Sequence, residues 1–142
     1  MDNAIRTTPL GPALRNGLRF LLAPAAVIAA VAHIPVTGPH LSEAPYMGVL
    51  FIVLTVALLV LATAALIHDS VPVYQLTILT CGLALLGYAA TRIVAFPQLA
   101  DDVGNWLEPL GVVSVLCEAV TLAAAAAALV AAGKVVRTGQ AA

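Results

Sequence analysis

The sequence predicts an all-α fold, a polytopic membrane four-helix bundle, and three observations carry that reading. Hydrophobic residues make up 62% of the 142 positions and charged residues only 9%. Mean hydropathy is +1.05. The apolar residues collect into four runs, each close to the roughly 20 residues that a helix needs to cross a bilayer. A water-soluble domain would need far more polar surface to cover such a core. One bundle of this kind uses up the chain, so residues 1–142 read as a single membrane domain. The formal charge of -1, with the basic residues near the ends, gives no support for a nucleic-acid partner. Cys81 and Cys117 sit inside apolar runs without a CxxC spacing, which argues against thiol redox chemistry.

The predicted spans are residues 18–34, 46–67, 72–95 and 109–132. The first follows Arg6, Arg15 and Arg19, as the apolar part of a signal peptide would. His33 and Pro35 stand where a small-x-small cleavage signal is needed, so the run reads as a retained helix, bent at Pro24. Between it and the second span, "HIPVTGPHLSEAPY" (His33 to Tyr46) reads as a polar loop, with Ser42 as a cap, Glu43 in the first turn and Pro45 at the helix start. Asp69 or Ser70 caps the third span ahead of Pro72, and Pro97 ends it. Glu108 and Pro109 open the fourth, Trp106 suits a headgroup interface, and Gly133 is a natural stop. The alanine-rich "TLAAAAAALVAAG", together with Gly82 and Gly87, favours close helix packing within the bundle or between protomers.

Basic residues precede the first span and follow the last (Lys134 and Arg137), and none lies in the first and third connections, so both termini are expected in the cytoplasm. The outer face then carries Glu43 and an acidic rim of Asp101, Asp102 and Glu108, while His68 and Asp69 face inward.

Polar residues inside the spans are the candidate functional groups. Glu118 lies roughly 13 Å along the fourth helix, near the middle of a hydrocarbon core about 30 Å thick, where a carboxylate must face the interior, be protonated or meet a donor. Arg92, roughly 7 Å below the outer end of the third helix, either pairs with Glu118 or snorkels outward to Asp101, Asp102 or Glu108. Thr77, Cys81, Ala84, Tyr88 and Thr91 recur at helical spacing, as do Gly111, Ser114, Glu118 and Thr121, so the third and fourth helices present small-and-polar stripes that can meet. His33, His40 and Glu43 form a candidate metal set, and Tyr46 can donate a hydrogen bond or bind iron. Haem is disfavoured because His33 and His68 fall at opposite faces, and no cofactor has a signature here; a metal ion fits better than haem or quinone.

The segments "HLSEAPYMGVLF", "TRIVAFP" and "DVGNWLEPLGVVSVLCE" resemble a family of small bacterial four-helix membrane proteins of uncharacterised activity, and the resemblance covers most of the chain from His33 to Glu118. It picks out His40, Glu43, Arg92, Pro97, Glu108 and Glu118, and it implies a multi-pass protein of the bacterial plasma membrane. The first functional reading is a non-enzymatic bundle that senses, binds or translocates a small ion through an outer-facing polar site. There His33, His40 and Glu43 form the vestibule and Glu118 takes the cation or proton. The alternatives are an accessory structural subunit of a membrane complex, with lipid, a second copy or a larger assembly as partner, and a metal- or quinone-linked oxidoreductase using His33, His40, Tyr88 and Arg92.

Overall fold

The computed structural model describes residue 11 and residues 13–139, with side chains through Lys134. All regular structure among them is helical: α1 (Arg19–Glu43), α2 (Pro45–Ile67), α3 (Val71–Ile93), a short 3-10 turn at Ala100–Asp102, and α4 (Pro109–Gly139). All four long helices are apolar and long enough to cross a membrane. Each packs on its neighbours in sequence and α4 returns to α1, with α2 and α3 making the slightest contact of the ring. Arg6 of the charge argument falls outside the described residues.

The largest departure from expectation is in α1. The stretch read as a loop continues the helix through Pro35 and Pro39 to Glu43, and the connection to α2 shrinks to the single buried residue Ala44. A helical proline forfeits one backbone hydrogen bond, and nearby side chains re-satisfy freed carbonyls in membrane helices. The carbonyls so freed here are those of Val31 and Pro35, four residues before each proline; Thr37 Oγ1 donates to the His33 carbonyl at 2.8 Å and His40 Nδ1 to the Val36 carbonyl at 2.7 Å, added bonds along the same turns. Ser42 donates to the Pro39 carbonyl at 2.8 Å instead of capping α2. Pro45 and Pro72 open their helices as expected, whereas Gly133 does not stop α4, which runs on to Gly139. A glycine without further backbone demands costs a helix only about 1 kcal/mol.

The two ends of the bundle are built differently. At the end where α1 begins and α4 runs out, alanines let the helices close up: Ala65, Ala124, Ala125 and Ala128 pack with Leu22, Val73 and Tyr74. Toward the middle Ala23, Ala26, Ala29, Ala30 and Ala62 pack with Leu58 and Cys81. Close van der Waals packing of small residues is the main cohesive force between helices in lipid, where no hydrophobic gain distinguishes one apolar neighbour from another. The large side chains Phe20, Val31, Leu50, Leu83 and Leu116 remain exposed on the outside.

Asp69 holds this end together. Expected as a cap, it sits at φ 39° with its side chain only 1% exposed. Its carboxylate accepts from Asn16 N at 2.7 Å, from Arg19 Nη1 at 3.0 Å and from the Tyr74 hydroxyl. The Leu14 amide donates to its carbonyl at 2.7 Å, so the segment before α1, the α2–α3 turn and α3 share one hub. Removing one member of a buried charge pair leaves the other without compensation, so Asp69→Ala is expected to lower stability on the order of 3 kcal/mol, measured as a fall in unfolding temperature in detergent.

Gly48 marks the closest approach within the α1–α2 hairpin: a Cβ there would stand 2.7 Å from the Leu41 backbone nitrogen. Backbone cannot give way as a side-chain tip can. Gly48→Ala should therefore cost about 1–3 kcal/mol in the same thermal assay, while Gly82→Ala, whose Cβ meets only Leu122 Cδ1 at 3.9 Å, serves as the propensity control.

Candidate ligand-binding site

The half of the bundle opposite the termini encloses a cavity of about 510 Å³. Alanine packing stops short of it, and there α2 and α3 diverge. Leu50 and Val53 on α2 and Leu83 and Gly87 on α3 line the cavity while remaining exposed on the outer surface, so its mouth is a lateral gap between these two helices. The loop 94–108 supplies Asp102 and Glu108 to its rim. Aliphatic and aromatic walls with a few fixed polar groups are the usual make-up of a small-molecule site.

The polar groups fall into two sets at different depths. In the deep set His33 Nε2 meets Glu118 Oε1 at 3.0 Å, with side chains 7% and 2% exposed. Because α1 continues ten residues beyond His33, this histidine lies well inside the bundle and not at the helix end, about 15 Å in from Glu43. It therefore reaches the level of Glu118 and supplies the donor for which the sequence offered Arg92 as one of two alternatives. Glu118 Oε2 and His33 Nδ1 make no protein hydrogen bond among the described residues. Ser114, one turn from Glu118, turns its hydroxyl to the Gly111 carbonyl at 2.9 Å.

The rim set centres on Arg92, which takes the outward alternative. Its Nη1 reaches Asp102 Oδ1 at 2.6 Å and the Asp102 carbonyl at 3.3 Å, and its Cζ lies 4.6 Å over the Tyr88 ring, a cation–π contact. The Tyr88 hydroxyl donates to the Trp106 carbonyl at 2.8 Å. The Arg92 side chain is 8% exposed, and its Nε is a buried donor without a partner. Glu108 caps α4, accepting from Leu110 N at 3.1 Å and from Gly111 N. Gly111 is needed where it is, since a Cβ would meet Tyr88 Cε2 at 2.8 Å. Tyr46 donates to the Pro97 carbonyl at 2.7 Å, tying α2 to the loop.

Phe51 of α2, which sequence reasoning passed over, links the two depths. Its ring centroid lies 5.3 Å from that of His33 and 4.9 Å from that of His40, the latter edge-on. The Nδ1–H bond to Val36 fixes the His40 tautomer, since a carbonyl only accepts, and leaves Nε2 as the available nitrogen. A hydrophobic-moment argument could not single out Phe51, but its place one helix turn past Met47 on the cavity side of α2 follows once α1 is read as continuous.

The candidate metal set does not assemble. No group of three or more His, Cys, Asp or Glu side chains comes together with metal-binding geometry among the described residues. Glu43 ends α1 as an exposed residue about 15 Å along the helix from His33. Asp101 is exposed at the loop surface and does not enter the cavity. The polar stripes of α3 and α4 are buried as a seam: Thr77 and Thr121 bond carbonyls in their own helices, at 2.8 Å each, and so belong to the packing. Only the part of the seam containing Ala84, Tyr88, Thr91, Gly111, Ser114 and Glu118 faces the cavity. Cys81 is buried and Cys117 half-buried, both as free thiols. No protein-family profile, curated protein or solved structure matches the chain.

Replacing His33 by leucine strands Glu118 without a donor in an apolar interior. His33→Leu is expected to cost about 3–5 kcal/mol, and the His33→Leu/Glu118→Leu double variant to recover most of it. Unfolding midpoints of the two single variants and the double variant close the cycle.

Proposed function

We propose that this protein is a multi-pass bacterial plasma-membrane protein, with both termini cytoplasmic, that binds an uncharged, lipid-soluble small molecule taken from the bilayer. The observation that carries the reading is the cavity, which opens sideways between the apolar faces of α2 and α3 and holds polar groups at its depth and rim. Lateral entry suits a ligand that dissolves in lipid. The basic residues at the terminal end support the orientation, and the sequence resemblance supports the bacterial setting.

The charges of the cavity argue for a neutral ligand. Arg92 is matched by Asp102, His33 by Glu118, and Glu108 by the amides at the start of α4. An ionic ligand would add an unmatched charge to a low-dielectric site. Ion translocation has less support, because below Glu118 the route meets close-packed Ala26, Ala29, Leu58 and Ala62. A role in binding, as a sensor or carrier, asks for no such route.

The test uses a long-chain alkanol bearing a diazirine as a neutral photoprobe, with the full chain in lipid nanodiscs. Labelling is expected at cavity-lining residues, among them Met47, Phe51 and Ala84. Gly87→Phe should suppress that labelling by about tenfold, because a side chain at residue 87 meets no neighbouring atom within 4 Å and so plugs the mouth without deforming the backbone. Labels spread evenly over the exposed faces of all helices, unaffected by Gly87→Phe, would sink the reading.

A further inference from the structure

We infer that the ligand is a hydroxyl-headed amphiphile bound head inward, with its hydroxyl on the free atoms of the His33–Glu118 pair and its tail leaving through the gap between α2 and α3; this rests on the lateral-uptake reading above. Two kinds of unbonded polar atom occur among the described residues. Arg19 Nε, Thr55 Oγ1, Ser70 Oγ and Arg92 Nε are sealed in protein without a partner. Glu118 Oε2 and His33 Nδ1 have no protein partner either, but they are not among the sealed atoms, and both residues line the cavity. A sealed atom is a cost that the fold carries, whereas an open one is met by what enters.

Position makes the pair the end of the cavity. In the ring of helices the seam of α1 and α4 lies across from the gap between α2 and α3, so a molecule passing Leu50, Val53, Leu83 and Gly87 faces the pair. Below it, Ala26, Ala29, Leu58 and Ala62 close the bundle. The Phe51 ring lies between His33 and His40 and walls the pair off from the rim histidine. Leu54, Ala57 and Ala84 keep the way from gap to pair apolar. At the rim Arg92 and Glu108 already hold partners, and His40 Nε2 is a single acceptor. A polar floor behind an apolar mouth suits an amphiphile whose head travels farthest.

The chemistry of the pair selects the head group. A pair that is neutral overall holds two protons, one in the 3.0 Å contact and one on an outward atom. Whichever outward atom keeps the second, the floor presents one donor and one acceptor. A hydroxyl both donates and accepts, so it suits either arrangement. An ether or ester only accepts and leaves the acceptor unmet. An ammonium or carboxylate head would add an unmatched charge to a low-dielectric site.

The test uses two alkanol photoprobes on the full chain in nanodiscs, one with the diazirine beside the hydroxyl and one with it at the far end of the chain. The first is expected to label Ala57, Ser114 and their neighbours at the floor, the second Leu50, Val53 and Leu83 at the mouth. Dodecanol should displace either label about tenfold more effectively than dodecyl methyl ether at equal mole fraction in the lipid, the usual effect of one hydrogen bond to a charged group. In His33→Leu/Glu118→Leu, which removes the polar floor without leaving an unpaired charge, that preference should vanish, with the unfolding midpoint confirming the fold. Reversed or coincident label positions, or an ether as effective as the alcohol on the unaltered chain, overturn the head-inward assignment and leave lateral uptake standing so long as Gly87→Phe suppresses labelling. A preference for the alcohol that persists in the double variant overturns it too, by placing the hydroxyl elsewhere. Labels spread over the outer faces and indifferent to Gly87→Phe overturn both readings.

Discussion

A carboxylate buried among apolar helices long enough to cross a membrane must find a donor, and in this chain the donor is His33 of α1. That requirement reaches far along the sequence. For the imidazole to arrive at the depth of Glu118, α1 has to continue well past His33, through Pro35 and Pro39, each of which costs the helix one backbone hydrogen bond. For the two side chains to touch, α1 and α4 must lie close, which their small residues permit: Ala26, Ala29 and Ala30 on one helix, Ala124, Ala125 and Ala128 on the other. Once α1 is committed to α4 in this way, Arg92 is left to the loop, and its pairing with Asp102 shapes the rim.

The bundle divides its work by depth. The terminal half is filled with alanine and held by Asp69, whose oxygens all have named partners, while Arg19 Nε and Ser70 Oγ beside it stay buried without one. The other half leaves donors and acceptors unspent around a space of about 510 Å³. The bordering cavity, and not an unpaired donor, separates the candidate site from the structural ionic cluster, since both combine a carboxylate, a tyrosine and an arginine with a buried free Nε.

Fold class was legible from hydropathy alone, and four helices are what the chain forms. The helix starts at Pro45, Pro72 and Pro109 were legible too, because proline at the first turn sacrifices no bond that the helix would have made. The reading failed at "HIPVTGPHLSEAPY", where prolines and polar residues together looked like a loop. In water that inference is sound; in lipid the backbone must remain internally satisfied, so helix is the cheaper state. From that one misreading came the misplaced depth of His33, the expectation of an Arg92–Glu118 clamp as one of two choices, and a metal set that the continuous helix spreads along its length. Asp69 was named as a cap but its reach to Arg19, 50 residues away in sequence, depends on tertiary contact that no local pattern encodes. Phe51 was invisible for a similar reason: an apolar residue in an apolar run carries no signal until its neighbours are known.

The single residue between α1 and α2 has a mechanical meaning. Ala44 is fully buried, and beside it Gly48 brings the backbone of α2 against Leu41, so the first two helices form a stiff hairpin with no slack at the turn. The second pair is joined instead by the loop 94–108, which holds Gln98 at φ 63° and Gly104 at φ 80°. With α1 and α4 held by the His33–Glu118 pair, the slight contact between α2 and α3 is the weakest join between the two pairs. The Tyr46 hydroxyl on the Pro97 carbonyl ties the two pairs together at the end of the bundle beside that seam.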